Sequence, residues 1–171
     1  MQAKPRFKVS LFVAASLLVV GAISVACSSV TKTVEPIDAD RASSPPITWG
    51  PAPAVFEPGA EMAVVQGDPS KAGEPFTVRL RMPNGYRIAP HTHPTDENVT
   101  VISGTFKVGM GATFKEDSML TLPAGAFVTA PALHAHYAST KGQTIVQVNA
   151  IGPFAINYVN ASDVPAAARQ K

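Results

Sequence analysis

A succession of short apolar stretches, separated by glycine and proline, constrains the fold of this chain most strongly. Residues 76–82 alternate Phe, Val, Leu and Met with Thr and Arg, which is the two-residue period of a strand with one buried face. Pro83, Asn84 and Gly85 then supply the residue types of a turn. The 16 prolines and 12 glycines among 171 residues argue against a helical bundle.

The same signals predict about nine strands and no complete helix. The predicted strands span residues 61–66, 76–82, 86–89, 99–102, 105–108, 119–122, 126–130, 144–149 and 154–159. Ser103 and Gly104 separate two of them and predict a tight hairpin. Residues 163–171 are expected to form one helical turn or to fray. Many short strands at even spacing indicate an all-β sandwich, jelly roll or barrel.

The N-terminus has the pattern of an export signal. Three basic residues lie before residue 9, and the apolar run 9–26 ends in small residues just ahead of Cys27. We therefore expect residues 1–26 to be a signal peptide. The alternative is an uncleaved membrane anchor, because the run reaches the length of about 18 residues needed to span a bilayer.

The single cysteine lies where a bacterial lipoprotein is acylated. Residues 23–27 (ISVAC) resemble a lipobox, with Ser24 where a larger aliphatic residue is usual. We expect Cys27 either to carry lipid, which would anchor the protein at a membrane, or to remain a free thiol. In both cases the domain would be exported, as a periplasmic protein or a lipoprotein facing the periplasm. One cysteine excludes an intramolecular disulfide and a cysteine-cluster metal site.

Residues 27–48 are rich in Ser, Thr, Pro and Ala and are expected to form a tether. Trp49 and Phe56 are expected to pack onto the domain, which is assigned to residues 49–171. Three of the 14 Lys and Arg residues precede residue 9, leaving 11 against 12 Asp and Glu. With no basic stripe, nucleic-acid binding has no electrostatic support.

All four histidines occur in two His-x-His pairs, His91 with His93 and His134 with His136. On a strand, residues i and i+2 point to the same face, so each pair could direct two imidazoles to one point. Glu97 shares the parity of the first pair. Three imidazoles and one carboxylate form a first coordination shell for a divalent transition metal. The alternative is that such pairs are surface residues or hydrogen-bonded polar pairs.

The spacing around the first pair resembles the first motif of the cupin superfamily. In that motif a Gly is followed after five residues by His-x-His, after three or four by Glu, and after six by Gly. Here Gly85, His91, His93, Glu97 and Gly104 meet every fixed position.

The second cupin motif is met in part. Gly125 is followed after five residues by Pro131, and His136 is in register for the motif's histidine. Leu133 and Thr140 stand where the motif has Gly and Asn. The substitution at Leu133 puts the placement of His136 in question.

The resemblance implies a small single-domain bacterial cupin, an all-β jelly roll or double-stranded β-helix barrel with one divalent metal inside (Mn, Fe, Zn, Ni or Cu). Its ligands carry over as His91, His93, Glu97 and His136. Motif register selects His136 over His134, which is then expected beside the ligands or lining the pocket. Further pocket candidates are Arg87, Phe106, Tyr137, Gln147 and Tyr158.

Three functions remain open at this stage. The first is an enzyme that coordinates a small oxygen-rich ligand on the metal, in the dioxygenase, decarboxylase or isomerase class of this superfamily. The second is a non-catalytic extracytoplasmic module that binds or senses a ligand or metal. The third is a metal with a structural role only. The expected partner is a small molecule. Contact with a membrane is expected only through the N-terminal lipid or anchor. A homodimer is also expected, with the strand from Glu61 available for exchange between copies.

Overall fold

The structure is a computed structural model that describes residues 46–169. The predicted signal peptide, Cys27 and all of the predicted tether before residue 46 lie outside the described residues. Within residues 46–169, no helix has the length and apolar character needed to cross a membrane.

The described chain is built from nine strands and confirms the all-β prediction. The strands are β1 (Gly50–Pro51), β2 (Glu61–Gln66), β3 (Pro75–Met82), β4 (Arg87–Thr92), β5 (Glu97–Met110), β6 (Leu120–Pro123), β7 (Phe127–Ala130), β8 (His136–Ile151) and β9 (Asn157–Tyr158). The helical elements described are the short 3-10 helices Glu116–Ser118 and Ala161–Asp163.

The strands pair antiparallel in one curled sheet. Its order is β1-β2-β3-β8-β4-β9, and β5 pairs with β6, β7 and β8. The two longest strands form its spine, because β5 and β8 are paired from Asn98 opposite Asn149 to Met110 opposite His136. Strands this long curl when bulges interrupt the ladder.

The predicted hairpin at Ser103 and Gly104 is wrong. β5 runs through both residues as one strand, and the register shifts on either side of Ser103 mark a bulge. Gly104 has a φ of 78°, and a Cβ at this position would collide with the carbonyl of Gln143. A tight turn and a bulge of this kind both require glycine at positive φ, so the sequence signal is the same for both.

Other strand boundaries also differ from the prediction. The strand predicted at 144–149 is part of β8, which begins eight residues earlier through a polar stretch containing Lys141 and Gly142. Only Asn157 and Tyr158 of the stretch 154–159 join the ladder, and the two-residue β1 was not predicted. Pairing with long neighbouring strands, rather than local apolar pattern, sets these limits.

The core lies between the inward faces of the curled sheet. Phe76, Val78, Leu80 and Met82 of β3 all point inward and are at most 3% exposed, as the alternation predicts. Valines of β5 and β8 pack against them. Phe56 is also buried in this core, and the Arg81 guanidinium carbon lies 4.4 Å from the centre of the Trp49 ring.

Candidate metal centre

Three histidines come together inside the barrel because of strand register. His91 of β4 lies directly opposite His136, the first residue of β8. His93 comes two residues after His91 and returns to the same face. Each of the three is only 3% exposed. Their ring centroids are 4.3 Å apart for His91 and His136, 4.8 Å for His91 and His93, and 5.1 Å for His93 and His136.

Each of these imidazoles is oriented by a hydrogen bond from its Nδ1 to a backbone carbonyl. The acceptors are Ala89 for His91 at 2.7 Å, Ala155 for His93 at 2.7 Å, and His134 for His136 at 3.1 Å. A carbonyl only accepts, so this network assigns the proton of a neutral ring to Nδ1. The lone pair is then on Nε2, the arrangement that metal-binding histidines show.

The three Nε2 atoms converge on one point. One ligand atom from each ring lies within 4.8 Å of the others. The Nε2 atoms of His91 and His93 are 3.2 Å apart, and the buried Nε2 of His136 has no hydrogen-bond partner among the described residues. When both rings are neutral with the proton on Nδ1, two lone pairs facing each other at this distance repel, and an unpaired buried nitrogen is costly. A cation between the nitrogens would satisfy all three.

The carboxylate of Glu97 adjoins this cluster. Glu97 is the first residue of β5 and is 9% exposed. Its Oε2 lies 3.5 Å from Nε2 of His93 and 3.4 Å from Nε2 of His136. Two donors bound to one ion at about 2.1 Å stand about 3.0–3.4 Å apart at octahedral or tetrahedral angles. The donor spacings of 3.2, 3.4 and 3.5 Å lie within this range or just above it, so a small adjustment of the side chains would accommodate a transition-metal ion.

The electrostatics of the cluster follow from its burial. Burial first, and then the neighbouring His136 and His93, lower the pKa of His91 to about 3. Burial alone would raise the pKa of Glu97, but its contacts with His136 and His93 outweigh burial and lower it. Burial also opposes the charged form of His93, yet the adjacent Glu97 carboxylate raises the pKa of this ring overall. The site thus combines an ionised carboxylate with a neutral His91, and both are in the protonation state that a metal ligand needs.

A small apolar cavity lies against the cluster. Its volume is about 20 Å³, which is room for about one water molecule. The four residues His91, His93, Glu97 and His136 form its polar wall. The remaining lining is apolar and consists of Phe56, Leu80, Met82, Ile88, Val99, Phe106, Val108, Val128, Ala130, Ala138, Val146, Val148, Phe154 and Ile156.

Two of the predicted pocket residues lie close to the cluster. Phe106 is 5% exposed and lines the cavity. Tyr158 of β9 lies beside the site rather than in the cavity, with its ring centroid 6.0 Å from that of His91. Its hydroxyl donates to the carbonyl of Val55 at 2.7 Å. Burial, and then the charges of Glu57 and Asp163, raise the pKa of this phenol to about 12.

Four other pocket candidates do not line this cavity: His134, Arg87, Tyr137 and Gln147. His134 nevertheless lies beside a proposed ligand, because its carbonyl oxygen accepts the hydrogen bond from Nδ1 of His136 at 3.1 Å. His134 is exposed, and its Nδ1 lies 3.0 Å from the carbonyl oxygen of Ala132. Strand alternation explains the other three. Tyr137 follows the inward His136 and therefore faces the opposite side, Gln147 lies between the inward Val146 and Val148, and Arg87 precedes the inward Ile88.

The contacts of these three outward residues are structural. Tyr137 is 1% exposed and packs against Gly109, and its hydroxyl donates to the carbonyl of Lys115 at 3.2 Å. Gln147 accepts a hydrogen bond from Arg79 Nε at 3.0 Å, and the Arg87 guanidinium carbon lies 3.8 Å from the centre of the Phe114 ring.

Several residues of the site gave no sequence signal. Ala155 acts through its backbone carbonyl, which any residue type would supply. Phe154 stacks on His93, with ring centroids 5.2 Å apart and an interplanar angle of 18°. The sequence predicted it as the first residue of a strand at 154–159, and this did not distinguish it from an ordinary core aromatic.

The structure shows how leucine is accommodated at position 133, where the second cupin motif has glycine. The φ of Leu133 is 62°, the left-handed conformation that glycine adopts without strain. The amide of His134 donates to the carbonyl of Pro131 at 3.1 Å, so Leu133 holds the third position of a β-turn. Its own amide donates to the carbonyl of His93 at 2.9 Å. The turn that leads into His136 is thus formed with leucine in a glycine conformation.

The curled antiparallel barrel with histidines inside defines the class of this protein, which has the cupin fold of a double-stranded β-helix. No model of a known protein family matches the chain, and no curated protein matches it in sequence. Solved structures do match. One is the polyketide cyclase RemF from Streptomyces resistomycificus, which is 17% identical to this chain with a TM-score of 0.54, and the match covers 73% of this chain and 88% of the RemF chain.

Two further structures are similar over slightly shorter parts of the chain. An RmlC-like cupin from Shewanella frigidimarina is 15% identical over 69% of this chain and 89% of its own, with a TM-score of 0.48. KdgF from a Halomonas species is 20% identical over 61% of this chain and 86% of its own, with a TM-score of 0.47. At such identities the likeness extends to the fold and not to an activity.

Proposed function

We propose that this protein binds one divalent transition metal through His91, His93, His136 and Glu97, and acts on a small oxygen-rich ligand coordinated to that metal. The observation that carries the proposal is the convergence of three Nε2 lone pairs whose rings are each fixed by an Nδ1 hydrogen bond. The expected reactions are those of the dioxygenase, decarboxylase or isomerase class.

The fixed rings support binding over accidental proximity. A hydrogen bond from each Nδ1 to a carbonyl holds the ring before an ion arrives, so little conformational entropy remains to be lost on binding. An unfilled cluster would keep the His91 and His93 nitrogens facing each other at 3.2 Å inside the barrel.

Glu97 supports a divalent ion. Its carboxylate is buried and ionised, and an isolated buried charge is strongly unfavourable unless it is paired. A cation among the histidines would pair with it directly. Imidazole and carboxylate together suit Mn, Fe, Ni, Cu and Zn.

A bound ion would supply Lewis-acid or redox chemistry at the coordination positions that the protein leaves free. The side chains of this chain would hold the ion, keep the reacting centre dry and set which ligands reach it. The burial of all four ligand residues, none more than 9% exposed, supports the second of these roles.

A second candidate function is a non-catalytic module that binds or senses a ligand or metal outside the cytoplasm. One observation favours it: among residues 46–169, the cavity lining holds no titratable side chain apart from the four proposed ligands. General acid–base catalysis needs such a group within hydrogen-bond reach of the substrate. Any turnover would then have to proceed without an acid–base side chain beyond the four proposed ligands.

Metal analysis of the full chain, purified from its native compartment without chelator, tests the proposal. We expect about one equivalent of a divalent transition metal in the wild type and its loss in the double variant His91→Ala, His93→Ala. The matched control is His134→Ala, which removes an exposed histidine of the same chain and should keep the metal. Equal metal content in the double variant and the wild type would overturn the ligand assignment.

We propose that the protein acts outside the cytoplasm, attached by lipid at Cys27. Membrane fractionation of Cys27→Ser tests this, and unchanged fractionation together with unchanged processing would remove the lipid anchor. The proposed homodimer is tested separately by the molar mass of the purified protein in solution.

A further inference from the structure

We infer that the ring of Phe154 sets the size of the ligand that reaches the metal position. The ligand class is a compact oxygen donor with a small apolar remainder. This inference rests on the proposed metal site, and it concerns a residue that no sequence pattern marks.

Three residues of the cavity lining are partly exposed to solvent, namely Val128, Phe154 and Ile156. Every other lining residue within the described range 46–169 is buried. Val128 belongs to β7 and is opposite Val99 in the ladder with β5. Phe154 and Ile156 lie between β8 and β9, outside the strands. Two of the three partly exposed lining residues thus belong to the one segment that carries Phe154, and we take this segment as the side from which a ligand enters.

Phe154 is held firmly in this wall. Its ring stacks on His93 and meets Phe76 edge-on, with centroids 5.5 Å apart and planes at 70°. Its amide donates to the carbonyl of Pro69 at 2.7 Å. The next residue, Ala155, accepts the hydrogen bond that orients His93. The segment that bounds the cavity thus also positions a proposed ligand.

The size and polarity of the cavity fix the ligand class. About 20 Å³ admits little more than one water-sized group beside the donor atoms. In the part of the chain that the structure describes, no polar residue lines the cavity beyond the four proposed ligands. A hydroxylated or charged remainder would therefore be desolvated without a partner among them. A ligand that fits therefore carries its oxygen atoms in the head group that binds the metal, as a carboxylate does, and has a compact apolar remainder.

A series of monocarboxylates tests this, since formate, acetate, propanoate and benzoate share one head group and one charge and differ in size. We would titrate each into the Co(II)-loaded full chain and follow the visible absorption of the ion. The wild type should bind formate most tightly and benzoate least. In Phe154→Ala the ratio of formate affinity to benzoate affinity should fall about tenfold or more, because removing the ring makes room for benzoate and matters little for formate.

The matched control is Phe127→Ala, which removes an aromatic ring that is 60% exposed and does not line the cavity. Its affinity ratio should equal that of the wild type. If Phe154→Ala does not fold, Phe154→Leu and Ile156→Ala replace it. In both variants the formate-to-benzoate affinity ratio should fall, by a smaller factor. An unchanged ratio in folded Co(II)-loaded Phe154 variants overturns this inference alone. Failure of the wild type to bind Co(II) overturns the proposed function as well.

Discussion

Replacing Leu133 with glycine should stabilise the domain, because this residue has a φ of 62° in a turn that glycine would form without strain. The left-handed conformation costs an L-residue with a side chain about 1–2 kcal/mol. Relief of this strain is offset by about 0.5–1 kcal/mol, because glycine gives the unfolded chain greater conformational freedom. The leucine side chain is 73% exposed, so its removal costs little burial. The net gain is about 0.5–1 kcal/mol, or about 3 °C in melting temperature for a domain of this size.

The assay is thermal and urea unfolding of the metal-free full chain, with Leu133→Ala as the matched control. Both variants lose the same exposed side chain, but alanine keeps the Cβ that makes the conformation costly. Glycine should therefore be more stable than alanine at this position. If alanine proves equally stable or better, the turn is not strained and the reasoning fails. The amide of Leu133 donates to the carbonyl of His93, so metal affinity should rise or stay equal in the glycine variant.

Three further predictions concern the core and the site. Gly109→Ala should lower the free energy of unfolding in urea by about 2 kcal/mol or more, because its Cβ would overlap the Tyr137 ring. The control Gly50→Ala, with nothing near its added Cβ, should leave that free energy almost unchanged. Equal losses in the two variants would contradict the prediction. In the metal-free protein, His91 has a folded pKa of about 3 against 6.5 when unfolded, so its contribution to stability is present above pH 6.5 and is lost as pH falls from 6.5 toward 3. Between pH 7 and 5.5, the free energy of unfolding measured in urea should fall by about 1 kcal/mol more in the wild type than in His91→Gln. Parallel dependence of the two unfolding free energies on pH would refute this. Glu97→Gln should keep the fold and weaken metal binding by at least about tenfold in chelator competition, and unchanged affinity would remove the carboxylate from the coordination sphere.

Short-range periodicity predicted the all-β class and the shared face of each histidine pair, whereas the jelly-roll barrel and the full ligand set were implied by the resemblance to the cupin motifs. His91 and His93 share a strand face whatever the rest of the chain does. Alternation could not choose between His134 and His136, which have the same parity, and the order of residues in the second motif made that choice. In the structure His136 lies in β8 opposite His91, whereas His134 precedes the strand in a turn.

The failures have a different physical origin, since they depend on pairing between distant parts of the chain. Gly104 was assigned to a turn because glycine at positive φ occurs both in turns and in bulges, and only the long partner strand β8 decides between them. Tyr137 was misplaced although alternation from the adjacent His136 was available to exclude it. Gln147 could not be related to His136 in this way, because the strand predicted at 144–149 did not extend back to that histidine. Phe154 could not be recognised, since its role comes from stacking on a residue about sixty positions earlier in the chain.

The curl of β5 has a consequence for the order in which the chain folds. Its first residue, Glu97, contacts His136 through its side chain, and its last residue, Met110, is opposite the same His136 in the ladder. Both ends of one strand therefore reach a single residue only once the sheet has closed on itself. Pairs of neighbouring strands, such as β2 with β3 and β5 with β6, close short loops and should form early, whereas β5 with β8 spans up to about 50 residues and should form late. The resonances of the three imidazoles should accordingly report the final step of folding, and a chain stalled before that step would hold most of its hairpins and no metal.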